Sequence, residues 1–314
     1  MNLPLISVLV LTYHPKKEEL FSTLQSVVLQ KDCDFEVIVA DDGSADFFES
    51  EIRAFLDAHH IPHTLVPHAQ NQGTVRNILD GVRAARGRFI KPISPGDLLY
   101  DDTTLRDIAA FMQQHQAKIA FGNLLFYSCE PAFTVKKLTC PCLTRLYRAD
   151  RRYSYPKAMK HQMVYNDFIS GASAVYEKDA FAEALETVSP AVRYAEDTVF
   201  QLFAARNVRI YWMNRFLVWY EHGSGISTKK STGFTRVEED FYRFYPLLSR
   251  LFPKNPYAKR ACKIWETRKN GTRAQQLALK LLPDSFLFSL QARLRKKRLH
   301  IAGYSEDFFR QCQL

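Results

Sequence analysis

Within the first 94 residues, short apolar runs alternate with amphipathic stretches, and this alternation constrains the fold more than any other feature of the chain. LISVLVLTY (5–13) is almost wholly apolar, as a strand buried on both faces of a parallel sheet must be. KEELFSTLQSVVLQ (17–30) places Leu20, Leu24, Val27 and Val28 on one helical face. FEVIVADDGS (35–44) repeats the strand, DFFESEIRAFLDAHH (46–60) the helix, and HTLVPH (63–68) a short third strand. TVRNILDGVRAA (74–85), closed by Arg86-Gly87, is a third helix before the strand RFIKPIS (88–94). The pattern predicts an α/β chain with a Rossmann-like, mostly parallel central sheet. Ligands of such sheets bind beyond the carboxyl ends of the strands. Thr12-Tyr13, Asp41-Asp42 and Asp97 fall at those ends.

Further along, a helix is expected at 103–116 and a strand at 117–128. Residues 129–160 carry Pro131, Pro141, Pro156 and many cations, which predicts a loop-rich insertion over the site. FISGASAVYEKDAF (168–181) is expected to be a strand meeting a helix. YAEDTVFQLFAARN (194–207) is expected to be a helix with two acids in its first turn, where the helix dipole favours them. VRIYWMNRFLVWYEH (208–222) is strand-like. Beyond about residue 229 the sheet signal stops, and two or three basic amphipathic helices are expected, split at Pro253, Pro256, Gly271 and Pro283. Charge divides the chain at the same place. Residues 229–314 hold 19 Lys+Arg against 7 Asp+Glu, whereas 1–228 hold 24 against 26. Two regions, 1–228 and 229–314, follow from this asymmetry.

A hydrophobic content of 46% beside 24% charged residues argues against wholesale disorder. No run approaches the roughly 20 apolar residues that span a bilayer. The apolar N-terminus lacks the basic region and cleavage site of a signal peptide. Six scattered cysteines, of which only Cys140 and Cys142 are close, predict reduced thiols and a cytoplasmic protein.

Each candidate site also has a plain structural reading. Asp41-Asp42-Gly43-Ser44 suits a strand-to-helix turn, yet a strand-end carboxylate can also accept from a nucleobase imide and a ribose. In NQGTVRN (71–77), Gly73 suits a positive-φ loop and Asn77 a helix N-cap; in the functional reading Arg76 serves a nucleotide as phosphate cation or stacking partner. Asp97 is either a turn acid or an oxygen ligand for a magnesium or manganese ion bridging phosphates, for which one carboxylate can suffice. Glu196-Asp197 are helix-start acids, or else one of them faces a cavity as a general base. Neighbours on a helix diverge by about 100°, so at most one of the pair faces the cavity well; Asp197 is taken as the base, with Glu196 as its polar support or an acceptor-side ligand. His222 is a loop histidine or a metal ligand or diphosphate donor. No G-x-S-x-G elbow, dinucleotide fingerprint or Walker loop is present.

Taken together, ISVLVLTYH, VADDGS, NQGTVRN, the acidic loop ending in Asp97 and the Glu196-Asp197 start resemble the family-2 nucleotide-sugar glycosyltransferases of the GT-A fold, over about residues 5–228. The resemblance implies that Thr12, Tyr13 and Asp42 contact the nucleoside, that Asp97 ligates a divalent ion, and that Asp197 deprotonates the acceptor hydroxyl in a single inverting displacement. Where the family reads like Asp-x-Asp-Asp, this chain has Ser94-Pro95-Gly96-Asp97. Ser94 keeps a ribose hydrogen bond, and metal affinity is expected to be lowered. The donor class implied is a nucleotide sugar, first a UDP-sugar, and the acceptor a glycan or lipid-linked hydroxyl. The basic C-terminal helices either pack on the catalytic domain or lie on an anionic membrane surface, at the inner face of the cell membrane. Nucleic acid is disfavoured by the lack of any reading motif. The competing class is a nucleotide-sugar-binding scaffold whose acidic loop has eroded. The retention of both Asp42 and Asp197 weighs against it.

Overall fold

The computed structural model describes residues 3–129, 133–138, 143–221, 232–282, 286–288, 290 and 304–313. Cys140, Cys142, His222 and the 228/229 boundary lie outside them. Strand and helix alternate as β1 (Ile6–Thr12), α1 (Lys17–Val28), β2 (Phe35–Asp41), α2 (Glu49–Ala58), β3 (His63–Pro67), α3 (Thr74–Ala84) and β4 (Phe89–Ile93). Next come β5 (Leu98–Leu99), α4 (Thr104–Gln114), β6 (Ile119–Ser128) and β7 (Thr134–Leu138). The chain continues through α5 (Tyr155–Met159), β8 (Ala174–Glu177), α6 (Lys178–Val188), α7 (Val199–Ala205) and β9 (Tyr211–Glu221). The C-terminal part contributes α8 (Thr232–Leu251), α9 (Pro256–Asn270), α10 (Arg273–Leu281) and α11 (Asp307–Cys312).

The strands form one sheet in the order β3-β2-β1-β4-β8-β6-β9-β5, with β7 paired to β6. The β3-β2-β1-β4 half is parallel, as the βα alternation requires. β8 then enters antiparallel between β4 and β6. This reversal places the start of β8 beside the carboxyl end of β4, so the turn before β8 reaches the same rim as Thr12, Asp41 and Ile93. β5 pairs antiparallel with β9, Leu98 opposite Trp219, which brings Asp97 to the end of β9.

Period-two alternation sorts the strand residues between two cores. Val8, Val10, Val37 and Val39 face α1, α2 and α4. Leu9, Ile38 and Ala40 face the side covered by α3, α6 and α7. Phe241, Phe244, Tyr245 and Leu248 of α8 and Trp265 of α9 belong to that second core. A third cluster joins Leu98, Leu125, Tyr127 and Trp219 to Phe308 and Phe309 of α11.

Local chemistry explains where elements depart from expectation. α2 begins at Glu49 and not at Asp46, because the Asp46 carboxylate accepts the Phe48 N–H at 2.8 Å and Phe48 is left-handed at φ 62°. Asn77 does not cap α3. It lies inside the helix and donates to the Ala40 carbonyl at 2.9 Å, while Gly73 at φ 93° occupies the cap. The expected loop 129–160 contains β7, α5 and, just beyond it, a π-helical turn Lys160–Val164 among its described residues. Glu36 is fully buried in β2. Burial opposes its ionisation, but bonds from Ser7 and from the Arg86 backbone and side chain outweigh that and hold it below the usual range. They tie β1, β2 and the start of β4 together at the rim opposite the candidate site.

Candidate active site

Two carboxylates end β2, and the structure uses them differently. Asp41 accepts from the Thr12 hydroxyl at 2.7 Å, the Ser44 hydroxyl at 2.6 Å and the Ser44 N–H at 2.7 Å. Asp42 reaches across to the 71–73 loop and accepts the Gln72 N–H at 2.6 Å and the Gly73 N–H at 3.0 Å. Both are buried and largely satisfied by the protein, so neither is free to ligate a cation. The His14 N–H donates to Ser44 at 2.7 Å, closing the β1 and β2 ends against each other. Tyr13 beside it is half-exposed, with its ring 4.3 Å from that of His14. Arg76 lies on the outer face of α3 and pairs with Asp80 at 2.7 Å. Among the described residues it connects to Asp42 through Asp80 and His68, whose ring lies 3.3 Å from Asp80 and 3.5 Å from Asp42.

The 71–73 loop is also where the distant acidic stretch arrives. Arg193 donates to the Asn71 carbonyl at 2.9 Å, and its own carbonyl accepts the Val75 N–H at 3.0 Å. A Cβ on Gly73 would lie 2.3 Å from Arg193 Cγ, so close approach and the positive φ both demand glycine. Three residues beyond Arg193 the chain makes the 3-10 turn Glu196–Thr198. Glu196 and Asp197 do not diverge as helical neighbours would: a Cβ on Gly171 would meet Asp197 Oδ1 at 2.5 Å and Glu196 Oε1 at 3.1 Å. Asp197 Oδ1 has no hydrogen-bond partner among the described residues. Desolvation, reinforced by the Glu196 charge, raises the Asp197 carboxyl well above the usual range. Desolvation and the Asp240 charge raise Glu196.

Asp97 closes the ring of contacts. Gly96, at φ 89°, sits under the Glu221 carboxylate, with Oε2 2.5 Å from where a Cβ would stand. The Asp97 carboxylate accepts the Glu221 N–H at 3.2 Å. Its backbone carbonyl accepts from Thr23 at 2.8 Å, and the Tyr127 hydroxyl donates to the Gly96 carbonyl. Ser94 is exposed at the loop entrance. Beneath the loop Lys91, fully buried in β4, donates to the Pro92 carbonyl at 2.6 Å and the Ala172 carbonyl at 2.8 Å. Lys91 thus ties β4 to the turn that holds Gly171 near Asp197, with its charge facing that of Asp97. Burial pushes the Asp97 carboxyl up to about 8 and the Lys91 ammonium down to about 7. Among the described residues no group of three or more His, Cys, Asp or Glu side chains is placed to hold a metal ion.

Asp42, Asp97 and Asp197 are therefore joined at one rim through Gly73, Arg193, Gly171 and Lys91, while Arg76 stays on the periphery. Sequence reading missed Lys91, Glu221, Arg193, Asp240 and His68. A lysine inside the apolar run FIKPI was the one available signal, since an unpaired buried cation is costly.

Residues 7–185 match glycosyl transferase family 2, and the chain belongs to that family. Over 130 residues it is 28% identical to a PGL/p-HBAD biosynthesis glycosyltransferase of Mycobacterium bovis, and equally to one of Mycobacterium tuberculosis. These alignments cover 41% of this chain, which spans about half the length of the curated relatives it matches. Its fold is similar to that of S. aureus TarS 1–349 in complex with UDP-GlcNAc, with a TM-score of 0.57 and 15% identity over 91% of this chain and 79% of the other. It is also similar to the mannosyltransferase PcManGT from Pyrobaculum calidifontis in complex with GDP-Man and Mn2+, with a TM-score of 0.52 and 12% identity over 95% and 87%. The α/β fold is of the GT-A type, with a helical C-terminal region.

Gly73→Ala is expected to destabilise the protein by more than about 1 kcal/mol, seen as a lower thermal midpoint, because both its φ and its contact with Arg193 exclude a side chain. An unchanged midpoint would show that the 71–73 and 193–195 loops are not locked together.

Proposed function

We propose that the chain is an inverting glycosyltransferase that moves a sugar from a nucleotide-sugar donor, a UDP-sugar, to a hydroxyl of a glycan or lipid-linked acceptor. One observation carries this reading: Arg193 and Gly73 join the loop that satisfies Asp42 to the segment that presents Asp197, so a donor end and a base end share one rim. Complexes of TarS with UDP-GlcNAc and of PcManGT with GDP-Man support a nucleotide sugar. The nucleoside lies against Thr12, Tyr13, Asp41 and Asp42, with Ser94 available to the ribose and Arg76 at the edge.

Asp197 takes the proton of the acceptor hydroxyl as that oxygen bonds to the anomeric carbon. The bond from that carbon to the diphosphate oxygen breaks, and its electron pair leaves with the nucleoside diphosphate. Attack opposite the leaving group inverts the centre. The raised Asp197 carboxyl is a stronger base than an exposed one, which suits this task near neutral pH. The charge of Glu196 beside it helps to hold the Asp197 carboxyl up, and Glu196 is available to the acceptor.

A divalent ion, manganese or magnesium, would neutralise charge on the departing diphosphate. Asp97 fits such an ion: it is a hard oxygen donor at the rim, its carboxylate accepts a single hydrogen bond among the described residues, from the Glu221 N–H, and Glu221 adds a second negative charge beside it. A single carboxylate in this loop holds the ion weakly. His222, the second expected ligand, lies outside the described residues.

In this reading the basic C-terminal region lies on an anionic membrane surface on the cytoplasmic side. Leu277, Leu281, Phe286, Leu287 and Leu290 are exposed, and Arg293 to Arg298 supply five cations with no acid between them. Among the described residues no helix is long and apolar enough to cross a membrane.

Asp197→Asn is expected to lower turnover by about 10²–10⁴-fold while donor KM stays within a few-fold; full turnover in the variant would remove the base. Manganese affinity should climb as pH rises toward 8, since the Asp97 proton must leave before the ion binds, and calorimetry in two buffers should detect that proton. Activity indifferent to both chelator and Asp97→Ala would end the metal reading. With vesicles of anionic phospholipid the protein should sediment at low salt and be released at high salt. Protein that stays in the supernatant at low salt would exclude the membrane surface.

A further inference from the structure

Among the described residues of the C-terminal helices, Asp240 is the most completely enclosed carboxylate, and its described partners belong to residues 193–195 or to its own helix. Its side chain is fully buried. Oδ2 accepts three successive backbone N–H groups, from Arg193 at 3.0 Å, Tyr194 at 2.5 Å and Ala195 at 2.9 Å. Oδ1 accepts from the Arg243 guanidinium at 2.6 Å. Arg243 in turn donates to the Ala191 carbonyl at 3.1 Å. Consecutive N–H groups converging on one oxygen form an anion-holding nest, and hydrogen bonds to an ionised acceptor are the strong ones.

The residue after that nest is Glu196, followed by Asp197. On the other side the same short segment is held by the start of α3 through the Arg193 carbonyl and Val75. Residues 191–195 are therefore clamped between α3 and α8, and the 3-10 turn projects from the clamp. Asp197 Oδ1 is not held by a side-chain partner among the described residues, so its aim depends on the backbone that carries it.

We propose that Asp240 is a positioning residue for the Glu196–Asp197 turn, which makes α8 a working part of the active centre. The proposal rests on the assignment of Asp197 as base. A misplacement of about 1 Å at a reacting group can cost about 10²-fold in rate, and the clamp ends one residue before the turn. A role confined to stability would lower the amount of folded protein and leave the behaviour of the remaining fraction unchanged.

The groups facing Glu196 are Asp197 in the same turn, Tyr176 of β8 and Asp240 of α8, the last paired with Arg243. The negative charge of Asp240 opposes ionisation of Glu196. Neutralising it therefore lowers the pH at which the acidic pair ionises, and the acid limb of the rate profile moves down in pH.

The test compares Asp240→Asn, Arg243→Ala and Asp197→Asn with the full chain, reading nucleoside diphosphate release from whichever nucleotide sugar a donor panel shows to be hydrolysed. Asp240→Asn is expected to lower kcat by about 10²-fold, leave donor KM within about two-fold, and shift the acid limb downward. Arg243→Ala, a change at a half-exposed side chain, is expected to lower kcat of the folded protein in the same direction by a smaller factor, since the three backbone N–H groups still hold Asp240. It keeps the proposal testable should Asp240→Asn fail to fold. Normal kcat in a folded Asp240→Asn, or in Arg243→Ala when the former does not fold, would overturn the proposal. So would a loss that only tracks the folded fraction with no movement of the acid limb. An active Asp197→Asn would instead overturn the assignment of the base, and with it the ground on which Asp240 was assigned.

Discussion

Buried carboxylates that take backbone N–H groups from remote loops are the interaction on which the rim depends. Asp42 takes Gln72 and Gly73, Asp240 takes Arg193, Tyr194 and Ala195, and Glu36 takes Arg86 and Gly87 at the far rim. Each bond satisfies both a charge and a donor that would be expensive to bury alone. Because the partners lie 30 to 51 residues apart in sequence, each pair also fixes the relative position of two elements. The first two meet at Arg193, where the β2 end, the start of α3 and the 196–198 turn become one unit.

The rim carboxylates divide by how fully the protein satisfies them. Asp41 and Asp42 are occupied by hydroxyl and N–H donors and act as scaffolding for the loops at the ends of β1 and β2. Asp97 is buried and Asp197 partly so, each with few donors, and desolvation raises both. Groups left in that condition are candidates for chemistry, since a proton, a cation or a substrate can relieve them. Lys91 stands between the two. Its ammonium faces the Asp97 charge and holds the Ala172 carbonyl, so the Asp97 loop and the turn before β8 share one buried cation.

Much of the parallel half was legible because it is written locally. The run ISVLVLT and the run FEVIVAD show their double burial in composition, and the amphipathic stretches between them show theirs in spacing. The positions of Thr12, Asp41, Asp42 and Asp97 at strand ends follow from that alone. Boundaries were lost where a side chain captured the backbone, as Asp46 does before α2. β5, only two residues long, leaves no pattern to read, yet it carries Asp97 to Glu221.

By itself the sequence determined the strand-helix order, the apolar faces, and which acids stand at the ends of which strands, because these depend on neighbours within a few residues. Only the tertiary structure decided that β8 runs antiparallel beside β4, that Arg193 meets the 71–73 loop, and that α8 supplies Asp240 to the turn holding Asp197. The physical reason is that such contacts are set by the closing of long loops and by the need to satisfy buried charge. Neither leaves a periodic mark on the chain.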